Sequence, residues 1–309
     1  MKSLLFIGGT GFLGQSFFDY INKRKLKIFN LSKIIVISRK RKKIQTKLKT
    51  KFIKKSITDI THIPVTNYII YAANSTNDLE NLKGIDNFIS LLTDKHKKTK
   101  ILFTSSGAVY GPGKTKKRFK EFDTVNFKKV STFKGYKKEY AKSKIIMENR
   151  FKELGKRGFN VSIARLFTFI GKRILINKDF AITNLINQSQ NLKINKIFLS
   201  SSKDVYRGYM HAEDLVRWVI KILVKSSPKC SIYNVGSDQA ITIKQLAEII
   251  AKKYNKQVSI KSKNRSKKNI DYYVPSIAKA KKELNLINKF NIVKSLDQIL
   301  KVCTFFHFY

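Results

Sequence analysis

The stretch Ile7-Gly8-Gly9-Thr10-Gly11-Phe12-Leu13-Gly14 constrains the fold of this chain more than any other. It follows the apolar run Leu4 to Ile7 and precedes Leu13, Phe17, Phe18 and Ile21, which fall near helical spacing. A strand that turns through glycines into a helix presents unpaired backbone N–H groups and the positive end of the helix dipole. Such a turn lets the backbone approach a pyrophosphate, and a glycine at position 14 lets the helix pack close to a sheet. Both Gly9-x-Gly11-x-x-Gly14 and Gly8-x-x-Gly11-x-x-Gly14 are present. The residues expected to border a dinucleotide are therefore Gly8, Gly11, Phe12, Leu13 and Gly14. The opening residues are also too soon broken by glycine to serve as a signal peptide, which predicts a cytoplasmic protein.

Further short apolar runs occur at Ile34 to Ile37, Tyr68 to Ala72, Ile101 to Phe103 and Val161 to Ala164, with a helical stretch from Asn81 to Leu92. Strands alternating with helices predict an α/β fold with a parallel sheet. Continuous apolar runs suit strands covered on both faces. Past about residue 170 the pattern loosens. A helix is expected from Ala212 to Val224. Thr242-Ile-Lys-Gln245 is a capping box that opens another, through about Lys253. Residues 275–302 read as two short helices. The predicted organisation is a dinucleotide-binding domain over 1–171, with returning segments about 207–236. A smaller mixed domain for substrate takes 172–206 and 237–309.

The formal charge of +44 in 309 residues admits a polyanionic partner. Lysine is abundant together with Ile, Asn, Phe and Tyr along the whole chain, so compositional drift with solvated lysines is the preferred reading. A nucleic-acid-binding face remains the alternative, built from Arg39 to Lys55, Lys114 to Lys120 and Lys261 to Lys268. No run of apolar residues reaches the roughly 18 that a membrane span needs. Cys230 and Cys303 have neither metal nor redox spacing, and no metal site is expected.

Tyr140-Ala-Lys-Ser-Lys144 carries the candidate chemistry, since residues four apart share a helix face. A free tyrosine, with a pKa near 10, is a poor base at neutral pH. A neighbouring ammonium favours the phenolate and lowers that value, so Tyr140 could move a proton. The end of the second strand reads Ser38-Arg39-Lys40, without the carboxylate that would accept from a ribose diol. Arg39 could hold the 2′-phosphate of NADP instead, which favours NADP over NAD.

Phe103-Thr-Ser-Ser106-Gly-Ala-Val-Tyr110-Gly111 resembles the "SSxxVYG" segment of the extended short-chain dehydrogenases, also called the NAD-dependent epimerase/dehydratase family. The strings GGTGFLG and Tyr140 to Lys144 through Glu148 are similar to that family as well. The resemblance continues in Ile70-Tyr71-Ala72-Ala73 ("HLAA"), in Asn81, Gly84 and Asn87, and in Arg165-Leu-Phe167-Thr168 with Gly171 ("RxFNxYG"). It also covers Arg207 to Leu215 ("RxYxHVxDL") and Tyr233-Asn234-Val235-Gly236 ("YNVG"). It implies a Rossmann-type doubly wound sheet and a nucleotide-sugar substrate. It implies that Ser106, Tyr140 and Lys144 are catalytic and that Ala72, Ala73 and Phe167 border the cofactor. Arg207 would clamp the substrate pyrophosphate. Asn184 and, more weakly, Arg265 are further phosphate contacts. A homodimer is expected through the helices near 136–153 and 78–92.

Departures from the pattern narrow the activity. Ser56-Ile57 stands where the family usually carries Asp-Ile against adenine. Gly107-Ala108 occupies the positions of an Asp-Glu pair in sugar 4,6-dehydratases, which argues against water loss. Hydride transfer at a sugar carbon, expected at C4, remains. With NADP the expected outcome is reduction of a 4-keto sugar, and with NAD retained through a cycle it is 4-epimerisation.

Overall fold

A computed structural model describes residues 2–24, 30–42, 44–173, 181–199, 204–260 and 270–305. Seven parallel strands make the central sheet: β1 (Lys2–Ile7), β2 (Leu31–Ile37), β3 (Lys49–Ile53), β4 (Tyr68–Tyr71), β5 (Lys100–Ser106), β6 (Asn160–Leu166) and, much later in the chain, a strand at Ser231–Val235. Their order across the sheet is that late strand, then β6, β5, β4, β1, β2 and β3. Between β1 and β6 the described residues form the α-helices α1 (Phe12–Arg24), α2 (Asp78–Ser90), the single turn α3 (Phe127–Val130) and α4 (Tyr136–Lys156). Order and direction are those of an open, Rossmann-like sheet whose strand order reverses at β1.

The two faces of this sheet explain the unbroken apolar runs. On β1, Leu4 and Phe6 enter a core with Phe17 of α1 and Trp218, whereas Leu5 and Ile7 enter a core with Phe88 of α2 and Phe151 of α4. Side chains alternate across a strand, so both parities must be apolar when both faces are covered.

After β6 the chain leaves the sheet through β7 (Thr168–Ile170), α5 (Ala181–Gln190), β8 (Lys196–Leu199), β9 (Val205–Arg207) and β10 (Tyr209–His211). It returns along α6 (Ala212–Val224) to the late sheet strand, β11. Then follow β12 (Ile241–Thr242), α7 (Ile243–Lys253), β13 (Gln257–Ile260), β14 (Asp271–Tyr273), α8 (Ala278–Leu284) and α9 (Ile292–Phe305). Small sheets join β10 to β7, β13 to β8, and β12 to β9 to β14. A separate apolar core gathers Ile182, Leu185, Leu246, Ile250, Leu296 and Ile299. The capping box stands at the start of α7, where the Thr242 side chain accepts from Gln245 and that glutamine accepts from the Thr242 N–H.

Within the basic run from Arg39 to Lys55, Lys49–Ile53 forms the edge strand β3. Helix α2 starts at Asp78 rather than Asn81, capped by Asn77, whose side chain accepts from the N–H groups of Leu79 and Glu80.

Candidate active site

The glycine turn follows the C-terminal end of β1, which lies between β2 and β4 in the sheet. Gly8 has φ of +81°, and a Cβ there would lie 2.6 Å from the backbone of Ala72 and Ala73. Ala72 in turn donates its N–H to Ile7 at 2.9 Å. Only glycine permits both the dihedral and the approach. A Cβ at Gly14 would sit 2.1 Å from the carbonyl oxygen of Gly9, so α1 can begin this close to the turn only without one. Gly11 donates to Gly8 and Gln15 to Gly11, whereas the N–H groups of Phe12 and Leu13 find no acceptor among the described residues. A cradle of small residues beneath free helix-terminal N–H groups fits a dinucleotide pyrophosphate. Phe12 stacks on Phe169, at 6.0 Å between ring centres, and so ties the turn to β7.

Beyond β2, the Ser38 hydroxyl lies 2.6 Å from that of Thr10. Arg39 does not stand free: its Nη1 donates to both carboxylate oxygens of Glu80, at 2.9 and 3.0 Å. Ser56 opens the short turn Ile57 to Asp59. Ile57 is core: it packs where a Cβ of Gly84 would be, and its carbonyl accepts from Asn87 at 2.8 Å.

Ser106 ends β5, and Tyr140 and Lys144 lie one turn apart on α4. The Ser106 hydroxyl accepts from the Ala108 N–H at 3.2 Å and faces the phenols of Tyr140 and of Tyr273, on β14, lowering the pKa of each. Lys144 is 3% exposed. Its Nζ lies 5.6 Å from the centre of the Tyr140 ring and 3.5 Å from the carbonyl oxygen of Thr104. Burial brings the Lys144 pKa down to about 8, against the pull of Glu148 and Asp78. Burial likewise pushes Tyr140 up to about 12, with the Ser106 hydroxyl acting in the opposite direction. Without a nicotinamide beside it, burial of the phenol, reinforced by Tyr136 and Asp78, outweighs the lowering influence of Ser106.

Tyr273 was invisible to motif reading. Its ring packs at a tilt against Phe167, 4.7 Å between centres, and its hydroxyl would lie 2.7 Å from a Cβ at position 107. Phe167 crowds that same point, with two ring carbons at 2.7 Å. Thus Gly107 is not merely a missing carboxylate; no side chain fits there unless its neighbours shift. The Arg207 guanidinium lies 5.7 Å from the centre of the Tyr273 ring and is gripped by Asp271 at 2.9 and 3.1 Å. Arg207, Tyr273, Ser106 and Tyr140 thereby form one continuous line. Asn184 is not part of it: it lies on the exposed side of α5 and accepts from Gln188 at 2.6 Å. Arg265 lies outside the described residues.

Beneath the site runs a buried polar network. Arg165 donates to the two carboxylate oxygens of Glu148 at 2.9 and 2.7 Å and to the Tyr110 hydroxyl at 2.8 Å. Ser105 donates to Glu148 at 2.6 Å, and Tyr110 to Asn234 of β11 at 2.8 Å. These bonds join α4, β5, β6 and β11 directly under Lys144. Among the described residues, no cluster of three His, Cys, Asp or Glu side chains could hold a metal ion.

The model of the NAD dependent epimerase/dehydratase family matches residues 4–236. A curated relative, UDP-glucuronic acid decarboxylase 1 of Arabidopsis thaliana, is 22% identical over 143 residues, 46% of this chain and only 32% of that protein's length. Among solved structures, UDP-glucose 4-epimerase of Thermotoga maritima with UDP-glucose superposes with a TM-score of 0.76 at 17% identity, covering 98% of this chain and 99% of that one. The dTDP-glucose 4,6-dehydratase of Bacillus anthracis, in complex with NAD, gives 0.77 at 18% identity, covering 97% and 96%. At these identities the structural likeness speaks for the fold.

Proposed function

The chain belongs to the NAD-dependent epimerase/dehydratase family, and from that premise we propose that it reduces a keto group, at C4, of a sugar carried on a nucleoside diphosphate. The observation that carries this reading is the meeting of Ser106, at the end of β5, with Tyr140 and Lys144 one turn apart on α4, the Lys144 Nζ 5.6 Å from the centre of the Tyr140 ring. A protonated phenol is the form that can donate to a ketone oxygen as hydride reaches the carbon. A bound nicotinamide dinucleotide supplies that hydride. Ser106 holds the carbonyl oxygen, Tyr140 gives it a proton, and Lys144 provides positive charge beneath the phenol as its proton leaves. Arg207 offers a guanidinium to the diphosphate, and Tyr273 walls the sugar between the two. The lack of room at Gly107 speaks against the carboxylate chemistry of water loss.

The cofactor we propose is NADP, on the strength of Arg39 and the missing carboxylate at positions 38–40. The ion pair to Glu80 favours a second reading, NAD retained through a 4-epimerase cycle. One experiment separates them. Nucleoside-diphospho 4-keto-6-deoxy sugars are offered with NADPH, and nucleoside-diphospho hexoses with NAD. Net loss of NADPH absorbance supports the reductase. Interconversion of C4 epimers without net cofactor change supports the epimerase, and turnover of neither class refutes both.

A homodimer through α2 and α4, and a cytoplasmic location, belong to the same proposal. The helices present Leu79 and Tyr136, 69% and 66% exposed, for a partner copy to cover. No helix among the described residues is long and apolar enough to cross a membrane.

A further inference from the structure

In the central sheet β1 lies between β2 and β4, so the ends of those two strands flank the glycine turn. Arg39 follows β2 and Glu80 sits in the first turn of α2, after β4. Their ion pair, Nη1 to carboxylate at 2.9 and 3.0 Å, therefore spans the strand that carries the turn. Glu80 is braced from behind. The Ser75 hydroxyl donates to it, and the Ser75 N–H is fixed by the Asn81 side chain at 2.7 Å.

We propose that Glu80 is a cofactor-specificity residue that acts against a 2′-phosphate by holding Arg39. This rests on the reading of Arg39 as the contact to that phosphate. A guanidinium already paired with a carboxylate offers a phosphate less net attraction. A phosphate that displaces the carboxylate is left beside an unpaired anion. A ribose hydroxyl carries no charge and meets no such opposition. Arg39 thus favours NADP and Glu80 moderates that preference, so the balance of the two side chains decides it.

The test measures equilibrium binding of NADP and NAD, by calorimetry at one fixed low ionic strength, to the wild type, Glu80→Gln, Arg39→Ala and the double variant. Glutamine keeps an acceptor for Ser75 while removing the charge. Glu80→Gln is expected to raise the NADP-to-NAD affinity ratio about twofold to fivefold, mostly through NADP, the range that loss of one exposed ion pair gives. Arg39→Ala lowers the ratio, and the double variant matches Arg39→Ala. Glu80→Ala, with different packing and the same loss of charge, moves the ratio in the same direction as Glu80→Gln. An unchanged or reduced ratio in both Glu80 variants, with Arg39→Ala still lowering it, overturns the role of Glu80 alone. An unchanged ratio in Arg39→Ala overturns the reading of Arg39 and the inference with it.

Discussion

Lys144 is charged where charge is disfavoured. Its folded-state pKa of about 8 lies below the ordinary 10.5. Between those values the unfolded chain holds a proton that the folded chain has released, so stability rises with pH across that window and is lowest below about 8. Lys144→Met should therefore stabilise at pH 7, by up to roughly 3 kcal/mol or roughly 5 °C in melting temperature. The gain should shrink at about pH 9.5, where the wild type has shed the proton. Turnover should be lost in the same variant, the usual trade of stability for function. The same titration shapes the rate: kcat/KM for ketone reduction should fall as pH passes about 8. Lys144→Arg, charged throughout, should lose that limb. Tyr140→Phe should lower kcat by about 10²–10⁴ while leaving cofactor affinity, read by calorimetry, nearly intact. Full activity in that variant would remove Tyr140 from the chemistry.

At the scale of elements, what the sequence disclosed was what is local. The turn from β1 into α1 was legible because glycine spacing and apolar periodicity agree within a few residues. The capping box of α7 was legible for the same reason. Strand β3 was not, because Lys49 and Lys51 alternate with Thr50 and partly buried neighbours at the sheet edge. Lysines there blunt an edge against pairing with other chains, and in so basic a chain they read as more of the same charge. Tyr273 and Glu80 were missed because tertiary packing, not spacing, brings them to Ser106 and Arg39. The Arg165 to Glu148 pair joins β6 to α4 with side chains only 3% and 1% exposed. Arg165→Met leaves Glu148 buried without its cation and should cost about 3–5 kcal/mol, read as a lowered urea midpoint with little change in m.

For the whole molecule, +44 charges oppose self-association, yet α2 and α4 present large apolar side chains to solvent. Light scattering should report a dimer at physiological salt, where the Debye length of about 8 Å screens most of the repulsion. A monomer at working concentration would refute the proposed interface. Adding Leu79→Glu should split the dimer without moving the melting temperature of the fold by more than a few degrees, since the residue is exposed within one chain.

The route of the chain back to its sheet has a consequence for how the protein is made. Strand β6 ends at Leu166, and β11, which covers its open edge, begins at Ser231. During synthesis at about 5–20 residues per second, that gap of about 65 residues leaves an unpaired strand edge waiting for roughly 3–13 seconds. The nascent chain must pass this interval with β6 available to any passing strand, its own ribosomal neighbours included. Asn234, which bonds Tyr110, Phe119 and Ser276, is then the stitch that closes the sheet to both earlier and later segments. A fragment ending at residue 171 should accordingly aggregate on expression or need a holdase chaperone. A fragment ending at 236 should stay soluble longer, and equal solubility of the two would show that the late strand protects nothing.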